Sequence, residues 1–152
     1  MKQLSTIIDD ALDQFERISS EEWVHKSSPD KWSRKEILGH LVDSARINLQ
    51  RFNEIQYFDS PYQIAPYDQD RQVITNAYQK ESIDLIKTLW QTLNHHISFV
   101  ISIQPEVNLS RQVVLLDGSI KHMQWLFDDY VDHLQHHLNQ ILHNIPNANE
   151  TQ

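Results

Sequence analysis

The 152-residue sequence contains no cysteine and only two glycines. Without cysteine the chain can form no disulfide, no thiolate metal site and no cysteine nucleophile. Any metal ion must therefore be held by nitrogen and oxygen ligands. The scarcity of glycine argues against a hairpin-rich fold, because tight hairpin turns use glycine heavily. The composition predicts an all-α protein.

Basic residues are also scarce. The chain has 13 Lys and Arg against 21 Asp and Glu, which gives a net charge of -8. This excess of acid argues against nucleic acid as a partner, since phosphate binding needs clustered positive charge. No window approaches the ~18 apolar residues of a membrane span, and the acidic N-terminal stretch has no signal-peptide features. We expect a cytoplasmic protein with a single domain over residues 1–152 and no membrane partner.

Apolar periodicity predicts four helices. Helix one covers Gln3 to Ile18, and helix two opens at a capping box formed by Ser33 and Glu36. Helix three is predicted from Arg71 to Ser102 and helix four from Ser119 to Asn144. The pattern therefore predicts a four-helix bundle.

Three segments are predicted to connect these helices. Residues 19–31 are polar and contain a proline, so they favour a simple connection. The long loop between helices two and three runs from Asn53 to Gln69. The stretch from Val107 to Gly118 alternates weakly and is typical of either a short strand or an extended connection; since one strand cannot form a sheet, we interpret it as a loop. Loops of this kind often carry specificity, so the pocket walls are expected in the last two segments.

The nine histidines are not equivalent. On a helical wheel, His133 and His137 lie together at one edge of the apolar face of helix four, whereas His136 lies on the polar side. His40 lies at a comparable edge on helix two. Three imidazoles meeting inside a bundle would leave coordination positions open, which is typical of a catalytic metal site. On spacing alone, such histidines are more often ordinary surface or core-edge residues, and both interpretations stand at this point.

Two segments resemble hallmarks of the DinB/YfiT-like superfamily. One is DKWSRKEILGHLVDSA, from Asp30 to Ala45, and the other is YVDHLQHHLNQI, from Tyr130 to Ile141. The resemblance implies an up-down-down-up four-helix bundle that binds a divalent ion, nickel or zinc. It carries the ligand role over to three residues, which are His40, His133 and His137. It also implies a homodimer.

The resemblance leaves the activity open between three hypotheses. The leading one is a hydrolase in which the ion activates water for attack on a small-molecule substrate. The second is an S-transferase that joins an exogenous low-molecular-weight thiol, of the bacillithiol type, to an electrophile. The third is a metal-binding stress-response module without turnover. No general base is assigned, although Asp43 and Asp129 each lie about one helical turn from a predicted ligand, and Asp129 is a candidate to orient His133.

Overall fold

The computed structural model describes residues 3–143. The four long helices are α1 (Leu4–Phe15), α3 (Arg34–Tyr57), α5 (Ile83–Ser102) and α7 (Met123–His143). The shorter elements are α2 (Ser20–Val24), α4 (Gln69–Thr75), a 3₁₀ turn (Tyr78–Lys80), α6 (Glu106–Leu109) and the strands β1 (Tyr62–Gln63), β2 (Gln112–Val114) and β3 (Ile120–His122). The predicted all-α four-helix bundle is confirmed, with a small sheet added to it.

The contacts between α1 and α5 fix the relative direction of these two helices. Asp9 lies 3.2 Å from His95, whereas Glu16, two turns further along α1, lies 3.1 Å from Lys87. Advancing along α1 therefore means going back along α5. The two helices are antiparallel.

The other two directions follow in the same way. His40 meets His133, and Phe52 meets Phe127, so α3 and α7 are antiparallel. Tyr78 lies against Gly39 near the start of α3, and α5 begins only a few residues later. Helices α3 and α5 are therefore parallel, and the bundle has the up-down-down-up arrangement.

The core lies between these helices because each presents one apolar stripe to the others. Phe15 packs against Trp23 and Trp90, with ring centroids 5.2 and 5.6 Å apart. In the middle of the bundle the buried hydroxyl of Tyr130 donates a hydrogen bond to Oδ1 of Asn94. Within residues 3–143, no helix combines the length and the apolar character needed to cross a membrane.

The single helix predicted over Arg71 to Ser102 is wrong in its first third. The chain leaves the helix after Thr75, and Ala77 adopts a left-handed conformation with φ of 51°. A new helix starts where the side chain of Ser82 accepts a hydrogen bond from the backbone N–H of Leu85. The apolar period continued across this break, so periodicity alone did not show it.

The loop predicted over Val107 to Gly118 is also wrong in part. Strand β2 lies in this segment and pairs antiparallel with β3 and parallel with β1. The hairpin turns at Gly118, whose φ is 83°. Both partner strands lie outside the segment, in stretches assigned to a loop and to a helix, which is why a strand there looked isolated.

Helix boundaries differ as well. Helix α3 continues to Tyr57, five residues into the predicted loop, and α7 begins at Met123 instead of Ser119. The predicted connection over residues 19–31 contains α2, which opens with a capping box formed by Ser19 and Glu22. The predicted end of helix four at Asn144 lies outside the described residues.

Candidate metal centre

Three imidazoles from two helices meet inside the bundle. His40 projects from α3, while His133 and His137 project from successive turns of α7. Their candidate ligand atoms all lie within 4.8 Å of one another. Nε2 of His133 lies 3.4 Å from Nε2 of His40 and 3.1 Å from Nε2 of His137. The structure thus brings the three sequence-predicted histidines together.

This spacing fits a bound cation. Metal–nitrogen bonds of about 2.0–2.1 Å in a tetrahedral site place neighbouring ligand nitrogens about 3.3–3.4 Å apart. Hydrogen bonding does not account for the cluster, because Nε2 of His133 can make a direct hydrogen bond to only one of its two neighbours. The other pair of nitrogens then faces each other without one. The donor set is nitrogen only, which suits nickel and zinc better than magnesium or calcium.

Gln140 fixes the orientation of His137. Oε1 of Gln140 lies 2.7 Å from Nδ1 of His137, and because an amide oxygen only accepts, Nδ1 must carry the hydrogen. Nε2 of His137 therefore carries no hydrogen, and its lone pair is directed at the cluster. On its other side, the amide nitrogen of Gln140 donates to Nε2 of His136 at 3.2 Å. Sequence reasoning missed this role of Gln140, although its place three residues after His137 puts both on one helix face.

Trp32 packs against His40 of the cluster. Its ring lies 5.0 Å from the ring of His40 at an interplanar angle of 34°. His40 is completely buried, and its Nδ1 has no hydrogen-bond partner among the described residues. Burying an imidazole with so few polar contacts is costly. A cation at Nε2 would offset part of the cost of burying this ring, although it would give Nδ1 no partner.

Burial also sets the charge of the cluster. Burial and, secondarily, the neighbouring His137 and His133 lower the pKa of His40 to about 2. Burial, followed by His137 and His136, lowers the pKa of His133 to about 4. Both rings are therefore neutral at physiological pH. A neutral imidazole is the form that binds a metal, so no proton has to leave these two rings first.

In the described part of the chain, neither Asp43 nor Asp129, the two carboxylates considered from the sequence, is hydrogen-bonded to the cluster. Oδ1 of Asp43 accepts hydrogen bonds from the Tyr78 hydroxyl at 2.7 Å and from the Asn76 amide at 2.8 Å. Burial raises the pKa of Asp43, against the opposing effect of these bonds. Asp43 therefore ties α3 to the segment before α5.

Asp129 lies on the outer side of α7. In the described part of the chain no hydrogen bond joins it to His133, so it does not orient that ring as the sequence suggested. Its carboxyl borders a cavity that His133 also borders. Partial burial, with Asp132 nearby, raises the pKa of Asp129.

That cavity has a volume of about 320 Å³ and lies between α3, α7 and the two loop segments. Ile64 and Tyr67 come from the first segment, and Leu115 from the second. These are the segments in which the sequence predicted the pocket walls. Of the three clustered histidines, His133 lines the cavity, so a small molecule held there can reach the cluster.

The ring of His136 lies 5.2 Å from that of His137, whereas His95 and His122 stay apart from the cluster. His95 pairs with Asp9 on the surface, and Nδ1 of His122 accepts a hydrogen bond from the backbone N–H of Trp125 at the start of α7. Within the described residues, neither belongs to a group of three potential ligands. The sequence had given these positions no metal role.

Comparison with known proteins identifies the family of this chain and solved structures with a similar fold. A family model described as the DinB superfamily matches residues 3–141. YfiT from Bacillus subtilis, described as a probable metal-dependent hydrolase with an unusual four-helix bundle topology, superposes with a TM-score of 0.80 at 18% identity, over 91% of this chain and 79% of that one. A mycothiol-dependent maleylpyruvate isomerase gives a TM-score of 0.66 at 13% identity, over 89% of this chain but 57% of that one. No protein of curated function matches the sequence.

Proposed function

Because this chain belongs to the DinB superfamily, we propose that it is a divalent-metal-dependent enzyme acting on a small molecule, with His40, His133 and His137 holding nickel or zinc. The observation that carries this proposal is the convergence of three Nε2 atoms beside a cavity, two of them from rings, His40 and His133, that burial keeps uncharged. A purely structural cluster would gain nothing from opening onto a cavity. The proposal is therefore a catalytic site and not only a binding site.

The chemistry proposed is hydrolysis. When bound, a divalent ion supplies a Lewis acid that activates a water nucleophile near neutral pH. His40, His133 and His137 would hold the ion through three imidazole nitrogens, and His133 is the one that borders the cavity. Trp32 packs against His40, and both His40 and His137 are buried from solvent. The similarity in fold to YfiT, itself described as a probable metal-dependent hydrolase, supports this choice.

A second candidate is transfer of an exogenous thiol to an electrophile. It is supported by the fold similarity to an isomerase whose name states its dependence on mycothiol. Because this chain has no cysteine, the thiol would have to be a small-molecule cosubstrate. The same three-histidine site would stabilise its thiolate.

Metal analysis tests the shared part of both proposals. Protein purified without chelator should contain close to one equivalent of nickel or zinc, and adding either ion to stripped protein should raise the melting temperature. A content below about 0.1 equivalent with no thermal shift would overturn the metal site. Turnover assays with ester and amide panels, against a thiol with an electrophilic acceptor, then separate hydrolase from transferase. Metal binding without turnover in either panel would favour a non-enzymatic binding module.

The proposal includes a cytoplasmic location, which rests on the acidic net charge and the bundle architecture, and a homodimer, which rests on the family resemblance. Exposed apolar side chains at Phe99, Ile103 and Val107 offer a surface that a second copy could cover. Light scattering during size-exclusion chromatography gives the oligomeric state directly. A monomer mass at micromolar concentration would remove the dimer from the proposal.

A further inference from the structure

Among the described residues that line the cavity beside the cluster, Arg51 is the one Lys or Arg. Among the described residues no Asp or Glu pairs with its guanidinium, although the chain as a whole is rich in acid. Arg51 is half-buried, and burial lowers its pKa without removing its charge. Leaving a cation partly desolvated without a counter-ion is costly, and such groups are normally paired. The missing partner is therefore a candidate ligand group.

The guanidinium is held in position by its surroundings. One nitrogen donates to the backbone carbonyl of Ala65 at 2.7 Å, and another lies 3.5 Å from Oδ1 of Asn48. The ring of Tyr67 lies beneath it, 5.9 Å from Cζ to the ring centroid. These two hydrogen bonds use two of the five N–H donors that a guanidinium carries. The remaining donors keep a fixed orientation and can engage a planar oxyanion with two parallel hydrogen bonds.

The site lies in line with the histidine cluster. His40, Ser44, Asn48 and Arg51 follow one another at helical spacing and form one polar stripe along α3. Eleven residues separate His40 from Arg51, which corresponds to roughly 16 Å along the helix axis. Because both side chains lean towards the start of the helix, the cluster and the guanidinium lie more than about 10 Å apart. A ligand touching both ends must be extended.

We propose that the cavity binds an elongated small molecule with a carboxylate at one end, which pairs with Arg51 while the reacting end faces His133. This deepens the proposed function by naming its substrate class, and the Arg51 end of the site stands independently of the metal. The apolar walls contributed by Ile64, Leu115 and Trp125 suit an uncharged middle section. Two acids also border the cavity: Asp117 is turned to Ser119 at the hairpin rim, and Asp129 lies on the α7 wall near His133. The carboxylate is therefore expected at Arg51 and not elsewhere in the cavity.

The test compares two probes of equal length, 4-phenylbutyrate and 4-phenylbutan-1-ol, which differ in the carboxylate. Binding is measured by calorimetry and ligand-observed NMR on zinc-loaded and on metal-free protein. We expect the carboxylate to bind at least about tenfold more tightly than the alcohol, as a charge-assisted pair should. The preference should persist in metal-free protein, because Arg51 and not the ion provides it.

Substitutions of Arg51 test whether this residue is the source of the preference for the carboxylate probe. Arg51→Met should remove it, and Arg51→Lys should retain part of it, since lysine keeps the charge but not the planar fork. The matched control is Arg46→Met, which removes the same charge from the same helix at an exposed position that is bonded to Gln72 and does not line the cavity. That variant should behave as the wild type. Circular dichroism and zinc stoichiometry confirm that each variant is folded and keeps its metal site.

Three results would overturn the inference. One is an unchanged preference in Arg51→Met, and another is a preference that disappears on metal removal but not in the arginine variants, which would mean that the carboxylate binds the ion. Equal or undetectable binding of the two probes by the wild type also contradicts it. Each of these outcomes is distinct from loss of metal binding in His133→Ala, which bears on the proposed function alone.

Discussion

Oε1 of Gln140 accepts the Nδ1 hydrogen of His137 across 2.7 Å, and this bond decides which nitrogen of His137 faces the cluster. Without it the imidazole could place its hydrogen on Nε2, where it would block a ligand lone pair. Gln140 is itself held from the other side by His136. Gln140 and His136, which lie outside the cluster, thus orient the ring of His137, which belongs to it. Such supporting hydrogen bonds are common around metal-binding histidines.

The first prediction concerns Gln140. Replacing it by Leu removes the acceptor and should weaken metal affinity roughly tenfold to a hundredfold, the usual effect of losing such a partner. Gln140→Glu keeps an acceptor in the same place and should retain tight binding. Affinity is measured by competition with a chromophoric chelator.

Gln135→Leu is the matched control, since Gln135 lies on the exposed face of the same helix. It should bind metal as the wild type does. If Gln140→Leu and Gln135→Leu weaken binding equally, the hydrogen bond to His137 has no special role.

A second prediction concerns the three histidines. His133→Ala and His137→Ala should each abolish the rise in melting temperature on adding nickel or zinc, because each removes one of three ligands. His40→Ala should do the same, but it also leaves a hole in the buried core and lowers the starting melting temperature. The comparison is made by differential scanning calorimetry with and without metal.

His96→Ala serves as the control, because this side chain is exposed on α5 and, within residues 3–143, forms no part of the cluster. It should keep the full metal-induced shift. A comparable loss in His96→Ala would mean that the ion binds surface histidines non-specifically.

The sequence predicted the bundle because the residues that form it are periodic. Amphipathic stripes around Phe15, Phe52, Trp90 and Leu134 follow from chain-local spacing, and burial of those stripes is what the fold consists of. The small sheet was missed because strand pairing is not local. Val113 pairs with Lys121 through a turn and with Tyr62 across fifty residues of intervening chain. No single segment contains that information.

Part of the histidine cluster could be predicted from the sequence because, as with the bundle, local helical spacing places His133 and His137 on one helix face. The helices that carry His40 and His137 are far apart in the chain; the helical wheels put both residues at comparable edges of their apolar faces, and the family resemblance assigned them to one metal site. Arg51 was not identified at all. Its significance lies in the absence of a carboxylate around it within residues 3–143, and such an absence can be recognised only once the neighbours in space are known.

A third prediction concerns pH and applies to metal-free protein. In the folded state the pKa values of His40 and His133, about 2 and about 4, lie below the ordinary 6.5. As the pH falls below about 6.5, the unfolded chain takes up protons at these positions that the folded chain does not, so the free energy of unfolding decreases. We expect stability to be greatest above pH 6.5 and to fall continuously towards pH 4.

Urea denaturation between pH 4.5 and 7.5 measures this slope. His133→Gln, which cannot titrate, should flatten it. Asp43 acts in the opposite sense, because its raised pKa stabilises the fold at low pH and that contribution is lost as the pH rises through the folded value. Asp43→Asn should therefore steepen the slope, and an identical pH profile for wild type and His133→Gln would contradict the assignment.

The fourth prediction concerns Gly39, which lies next to His40 in the middle of a helical turn. Alanine normally stabilises a helix interior by about 1 kcal/mol relative to glycine. Here the added Cβ would overlap the ring of Tyr78, whose hydroxyl bonds to the buried Asp43. Crowding of this kind costs about 1–3 kcal/mol, so Gly39→Ala should lower the melting temperature. The double variant that combines Gly39→Ala with Tyr78→Ser tests whether the Tyr78 ring causes this loss of stability. Once the ring is gone, Gly39→Ala should become stabilising, and a loss of stability in both backgrounds would show that the close approach of Tyr78 is not what requires glycine.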